Sequence, residues 1–229
     1  MTADTARCLI LVPVARHIER QCEDGLRALE ARGHTVRRVY GYSAIDAARN
    51  QMASDALRDG YYEMMWIDSD IGFDPDDVER LRSHNLPMTC GAYAAKGQRR
   101  IAIAFKDNYA TMTFGQGGGL LPITYCGFGF VHVRRTVFDT VQTKHRLPIC
   151  NTMFGSALVP YFQPMPIPVP GGWWSLSEDY AFCHRVNEAG FTIQCDTTIR
   201  LEHWGMYAYQ MEDAGGELQR LATYNFRVK

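Results

Sequence analysis

The sequence predicts an α/β fold: a mostly parallel central sheet with helices on both faces and a small antiparallel insertion. Three observations lead there. Strand-like and helix-like segments alternate through the first 70 residues, the order that builds parallel sheets. The strand-like segments are short continuous apolar runs, such as Cys8-Leu9-Ile10-Leu11-Val12-Pro13, and so read as strands buried on both faces. A later run, Met64-Met65-Trp66-Ile67, ends in Asp68-Ser69-Asp70, which sets polar residues beyond a strand's carboxyl end, where open α/β sheets bind ligands.

The first strand leads into a helix with apolar spacing from Ile18 to Arg32, stopped by Gly33. Thr35 to Tyr40 gives a second strand, Ile45 to Arg58 a second helix ended near Gly60, and Tyr61 to Ile67 the third strand. Asp74-Pro75-Asp76-Asp77 reads as a helix start, with Asp74 as N-cap and Pro75 in the first helical position, leading into Val78 to Ser83. Pro87 to Tyr93 is another strand; Ile101 to Phe105, Ala110 to Phe114 and Leu120 to Tyr125 are short strands around turns, the expected antiparallel insertion. Gly115-Gln116-Gly117-Gly118-Gly119 lacks the Lys-Ser/Thr and helix of a phosphate loop and is expected to be a hairpin tip. Phe128 to Val133 is a strand entering a helix from Arg134 to Lys144.

From Leu147 to Gly172 the chain carries six of its ten prolines and leads into Trp173-Trp174, an irregular loop long enough to act as a lid. For the two tryptophans, flat faces offered to a sugar ring or base and ordinary core packing stand as alternatives. A helix from Ser177 to Ala189 ended by Gly190, a strand from Phe191 to Cys195 and a segment reaching Glu202-His203-Trp204-Gly205 follow; the tail after Met206 has no assignable element.

With 229 residues, 46% hydrophobic and 21% charged, the chain suits one domain with a sizeable core. Its 24 basic and 25 acidic residues nearly cancel and form no like-charged block, which announces neither strong DNA affinity nor a membrane patch. No apolar stretch approaches the ~20 residues of a membrane-spanning helix. No charged-then-apolar leader opens the chain, so a cytoplasmic location is expected. Seven scattered cysteines without a C-x-x-C pair argue against zinc or a disulfide framework and read as small core residues.

Asp68 and Asp70 stand two apart, and residues i and i+2 of a strand point the same way. Hard divalent cations take carboxylate oxygens, so the pair suits metal-assisted handling of a diphosphate; a solvated turn closing the strand is the alternative. Glu178 and Asp179 fall in a helix's first turn, where acids complement the dipole and where a carboxylate can also accept a proton from an attacking hydroxyl. His203 reads either as a structural imidazole or as the third ligand that the Asp pair needs. Arg49, near the strand ends, is placed to pair a phosphate, with an exposed surface arginine as the alternative.

Trp66-Ile67-Asp68-Ser69-Asp70, then Gly127-Phe128-Gly129-Phe130 through Phe138, then Glu178-Asp179-Tyr180 through Arg185 with Gly190, then His203, resemble in kind and order a glycosyltransferase of the GT-A fold. The resemblance is to family 2, and Ala48-Arg49-Asn50 also resembles family 62 mannosyltransferases, where this arginine and asparagine lie near the nucleotide. It implies a Rossmann-like sheet and one GT-A domain over residues 1–229, with 1–95 a nucleotide-binding half, 96–205 an acceptor-binding half and 206–229 a tail. It further implies a UDP- or GDP-sugar donor over the strand ends, contacted by Pro13, Arg49, Asp68, Ser69, Asp70 and Trp174. Asp70, His203 and Asp68 are then the ligands of Mn²⁺ or Mg²⁺. Asp179, with Glu178 beside it, is the catalytic acid pair of a hexosyltransferase acting on a hydroxyl of a saccharide, lipid, protein or modified nucleic acid. His203 is typical of retaining families and Asp179 is the base of inverting ones, so stereochemistry stays open, as does a homo-oligomer.

Two readings compete: a metal-dependent phosphatase of the haloacid dehalogenase type with Asp68 as nucleophile, and a non-catalytic nucleotide-sugar-binding module. The first expects its Asp pair at the end of the first strand, and here it closes the third; the second has no use for Asp68, Asp70, Asp179 and His203 together. A nucleotidyltransferase would need a glycine-rich basic loop after the first strand, which Val12 to His17 lacks. The expectation is a metal-dependent glycosyltransferase with Leu147 to Trp174 closing over its site.

Overall fold

Alternate residues of a strand face opposite sides, so a strand apolar at every position needs a packed layer on both. The structure, a computed structural model, describes residues 7–97, 100–106, 112–214 and 223–226. Its elements begin β1 (Cys8–Val14), α1 (Arg20–Ala31), β2 (Thr35–Tyr40), α2 (Ile45–Arg58), β3 (Glu63–Ile67), β4 (Ile71–Gly72), α3 (Pro75–Ser83), β5 (Met88–Gly91), β6 (Ile103–Phe105) and β7 (Met112–Gly115). There follow β8 (Leu120–Cys126), β9 (Phe130–Arg134), α4 (Arg135–His145), β10 (Met165–Val169), β11 (Gly172–Leu176), α5 (Glu178–Glu188), β12 (Ile193–Asp196), β13 (Glu202–Trp204), β14 (Ala208–Tyr209) and β15 (Thr223–Phe226). No helix among the described residues is long and apolar enough to cross a membrane.

The main sheet runs β2-β1-β3-β9-β5-β12-β8-β6. Leu9, Leu11, Met64 and Trp66 point into one core with Met52 of α2, Val137 of α4 and Phe182 of α5. Ile10, Val12, Met65 and Ile67 point into the other, against Leu26 of α1 and Val78 of α3. Helices cover both faces, as the continuous apolar runs predict, and each such buried aliphatic side chain contributes about 1.5–3 kcal/mol.

The sheet is mixed. β1 pairs in parallel with β2 and β3, and β5 with β12, but β9 runs antiparallel between β3 and β5. β8, antiparallel to β12 and β6, also opposes the main direction. The expected separate insertion is corrected accordingly: β6 and β8 form the edge of the main sheet, while β7 pairs with β15 from the tail. Residues 110 and 111, the start of the predicted Ala110 to Phe114 strand, lie outside the described residues, as do 215–222 and 227–229 of the tail.

Gly115 to Gly119 is not a hairpin tip, because β7 and β8 have different partners. Its glycines admit Thr197: a Cβ on Gly118 would stand 2.5 Å from Thr197 Oγ1, and that hydroxyl oxygen accepts from Gly119 N–H at 3.0 Å. The stretch from Leu147 to Gly172 is also more ordered than expected. Val159 and Phe162 N–H donate to Ser54 Oγ and Asn50 Oδ1 of α2, Arg185 donates to the carbonyls of Tyr161 and Gln163, and Phe162 is 0% exposed. Beyond this pinned middle, β10 and β11 form a hairpin closed by Pro170-Gly171, where Gly171 takes the positive φ that such a turn requires.

Candidate active site

The site lies past the carboxyl ends of β1 and β3. The β1–β3 ladder ends at Leu11↔Trp66, so Pro13, buried and paired with Val39 on its other side, sits where a missing N–H costs β3 nothing. β3 stops at Ile67 and the chain turns at once: Ile71 N–H donates to the Asp68 carbonyl at 3.1 Å. Glu19 N–H binds the Ser69 carbonyl at 2.8 Å, and Trp204 N–H binds the Asp70 carbonyl at 2.7 Å. The Asp-x-Asp is therefore a turn between β3 and β4 rather than extended strand, and its two carboxylates meet different partners.

Asp68 Oδ1 accepts from Arg49 Nη2 at 2.9 Å, and Glu178 Oε1 lies 3.8 Å from Arg49 Nε. Arg49 is 2% exposed, its guanidinium carbon 5.7 Å from the Trp66 ring centroid and 5.4 Å from that of Phe128. Its Nη1 has no hydrogen-bond partner. Desolvation works against its charge, and Asp68, Glu178 and Asp179 more than offset it, raising its pKa. Arg49 is thus a buried bridge between two acids. Burial pushes Asp68 up against the pull of Arg49, and pushes Glu178 up with help from Asp179.

Asp70 meets Lys96 and His203. Lys96 Nζ donates to Oδ2 at 2.5 Å, and His203 Nε2 lies 3.8 Å from Oδ1. His203 arrives because β13 pairs antiparallel with β4, opposite Ile71. Its Nδ1 lies 2.8 Å from the Ala94 carbonyl, which can only accept, so Nδ1 carries the proton and Nε2 turns its lone pair toward Asp70. Burial lowers the His203 pKa and keeps the ring neutral. The Tyr93 ring stands edge-on to it with centroids 5.0 Å apart. Gly127 and Gly129 make room for that tyrosine, since a Cβ on either would come within 2.3 or 2.8 Å of its hydroxyl.

A neutral imidazole nitrogen facing a carboxylate oxygen is a donor set that Mn²⁺ or Mg²⁺ accepts. Asp70 and His203 fit such an ion, while one oxygen of Asp68 is taken by Arg49. Among the described residues no three His, Cys, Asp or Glu side chains gather closely enough to enclose a metal. Two protein ligands leave the other coordination positions of such an ion open.

Glu178 and Asp179 open α5, as expected. Asp179 Oδ1 accepts from Ser177 Oγ and, at 2.7 Å, from Tyr180 N–H of the first turn. Trp173 and Trp174, on β11 just before this helix, are 73% and 40% exposed, so neither is core. Trp174 stands edge-on to Tyr125 and Tyr180, which stack on each other at 4.9 Å, a ring cluster beside Asp179. Sequence reasoning missed Lys96 and the Ala94 carbonyl, both on the connection after β5; no local pattern marks them. Six of the seven cysteines are buried, in keeping with their reading as core residues.

No family model and no curated protein matches the chain. Among solved structures, the glycosyltransferase involved in the glycosylation of the major capsid of PBCV-1 overlaps 60% of this chain and 64% of its own, at 11% identity and a TM-score of 0.32. The CMP:2-keto-3-deoxy-manno-octonic acid synthetase complexed with CTP overlaps 82% and 88%, at 13% identity and 0.40. A197 from STIV aligns over 94% of this chain and 97% of its own, at 15% identity and a TM-score of 0.57. At that identity the likeness is one of fold: the α/β architecture described above is shared with A197 along nearly the whole of both chains.

Proposed function

We propose that the chain is a single-domain GT-A-type glycosyltransferase that moves a hexose from a nucleoside diphosphate donor to an acceptor hydroxyl, with Mn²⁺ or Mg²⁺ on the diphosphate. The observation that supports this best is the meeting of Asp70 and His203, 3.8 Å apart beyond the carboxyl ends of two parallel strands. Such an ion draws charge off a leaving diphosphate when bound. Asp70 and His203 hold it, the proton on His203 Nδ1 being fixed by Ala94. Asp68 and Glu178, clamped from below by Arg49, accept hydrogen bonds from hydroxyls of the donor. Asp179 takes the acceptor's proton in an inverting transfer, and the Trp174 cluster shields that side from water. In this reading residues 1–95 bind the nucleotide and 96–205 the acceptor.

The test is a thermal-shift screen of UDP-, GDP-, dTDP- and CMP-sugars with Mn²⁺ and again with chelator. One nucleotide family should raise the melting temperature only with metal, and not in Asp70→Asn. A hundredfold excess over Kd stabilises by about 2.7 kcal/mol, which is about 5–10 °C for a chain of this length. Folded protein that responds to none of them would sink the proposal and favour the phosphatase.

A further inference from the structure

Asp70 carries a cation on the oxygen opposite His203, and this has a consequence for metal binding. Lys96 Nζ lies 2.5 Å from Oδ2, and its stem crosses the backbone at Gly205, where a Cβ would stand 3.4 Å from the lysine Cδ. The lysine sits at the tip of a short loop closed by the Ala94–Ile101 bridge and by Ala95 N–H on the Arg100 carbonyl at 2.9 Å. Gly97 turns that tip with a φ of +68°. Ala94 of the same loop orients His203, so one loop supplies both the ammonium on Asp70 and the carbonyl that aims the imidazole.

We infer that Lys96 is a built-in counter-ion: in the free protein it competes with a divalent cation for Asp70, and on donor binding it moves to the diphosphate. The inference rests on the function proposed above. An ammonium in contact with a carboxylate cancels the charge that would attract a metal ion and repels the ion directly. A diphosphate offers Lys96 a more highly charged partner within a side chain's swing, and the side chain is one-third exposed and free to make it. Metal and diphosphate then tighten each other's binding, the reciprocal coupling that linkage requires.

The experiment titrates the full-length chain with Mn²⁺ alone by calorimetry, comparing wild type, Lys96→Met, Lys96→Arg and Asp70→Asn. Lys96→Met should bind Mn²⁺ at least about fivefold more tightly, the effect of removing one unit charge some 4 Å away in water. Lys96→Arg should behave as wild type, and Asp70→Asn should lose the site. Inorganic pyrophosphate should strengthen Mn²⁺ binding in wild type and do so less in Lys96→Met. Unchanged or weaker Mn²⁺ binding by Lys96→Met overturns the inference. If neither protein takes up Mn²⁺ alone while a nucleotide sugar stabilises wild type with Mn²⁺ and not in chelator, the counter-ion role fails and the donor reading survives. If neither Mn²⁺ nor any nucleotide sugar binds, both fail.

Discussion

A guanidinium buried against two aromatic rings loses its hydration and needs nearby acids to offset that cost, as Arg49 shows. Its charge opposes the upward push that burial gives Asp68 and Glu178, which stay raised all the same, and both acids in turn raise its own pKa. Removing one partner of such a buried pair leaves an uncompensated charge, which costs roughly 3–5 kcal/mol. Asp68 keeps some access to solvent, so Arg49→Met should lose about 3 kcal/mol in urea unfolding at neutral pH. Arg49→Lys should recover less than half of that, because a lysine cannot span two carboxylates with a planar fork. Equal stability of wild type and Arg49→Met would show that the bridge does not matter. The sequence marks Arg49 as a residue of interest, but its role as a bridge depends on Glu178, 129 positions further along the chain.

At the scale of elements, β3, β9 and α3 are tied together at the end of the sheet away from the site. Glu63 accepts from Arg82 Nε of α3 at 2.8 Å and lies 3.2 Å from His132 Nε2 of β9. Burial alone would raise the Glu63 carboxyl, but the bonds from His132 and Arg82 outweigh it and bring it down to about 2 from 4.5. A folded-state pKa below the unfolded one means stability that is complete above the unfolded value and lost as pH falls toward the folded one. Wild type should therefore lose on the order of 2 kcal/mol from this group between pH 4.5 and pH 2. Glu63→Gln, less stable at pH 7, should show a flatter acid limb in a series of melts across that window. Matching limbs for the two proteins would rule the linkage out. The hairpin of β10 and β11 belongs to this scale too: its prolines sit on a two-stranded edge ribbon, where a lost N–H is tolerated, and its tryptophans stay at the surface beside α5.

For the molecule as a whole, β1 is the hinge of stability. It is buried at every position, pairs with β2 and β3, and feeds both cores. Leu11→Ala should cost about 3 kcal/mol, within the range for buried leucine truncations, and lower the melting temperature by about 6–12 °C. A loss under 1 kcal/mol would mean that the sheet can collapse around the gap. Because β1 and β3 also carry the site at their carboxyl ends, this variant should weaken donor binding only in proportion to the unfolded fraction.

Local rules were enough for much of this protein. The span Thr35 to Tyr40, the helix Ile45 to Arg58 and the Asp74 N-cap, whose carboxylate accepts from Asp76 N–H at 2.9 Å, follow from periodicity and capping chemistry that act within a turn or two of chain. Burial on both faces of β1 and the polar turn after β3 are equally local. Tertiary structure alone decided the insertion of β9 between β3 and β5, the place of β6 and β8 in the main sheet, and the pinning of residues 159–163. It also decided which of the two aspartates meets Arg49 and which meets Lys96 and His203. A strand's alternation looks the same whether its neighbour runs parallel or antiparallel, and an acid's partner is chosen by the approach of chain 19 to 133 residues away, as with Arg49 and Asp68 or Asp70 and His203. Sequence determined what each segment can be; long-range pairing determined which charges face each other, and with that the chemistry open to the site.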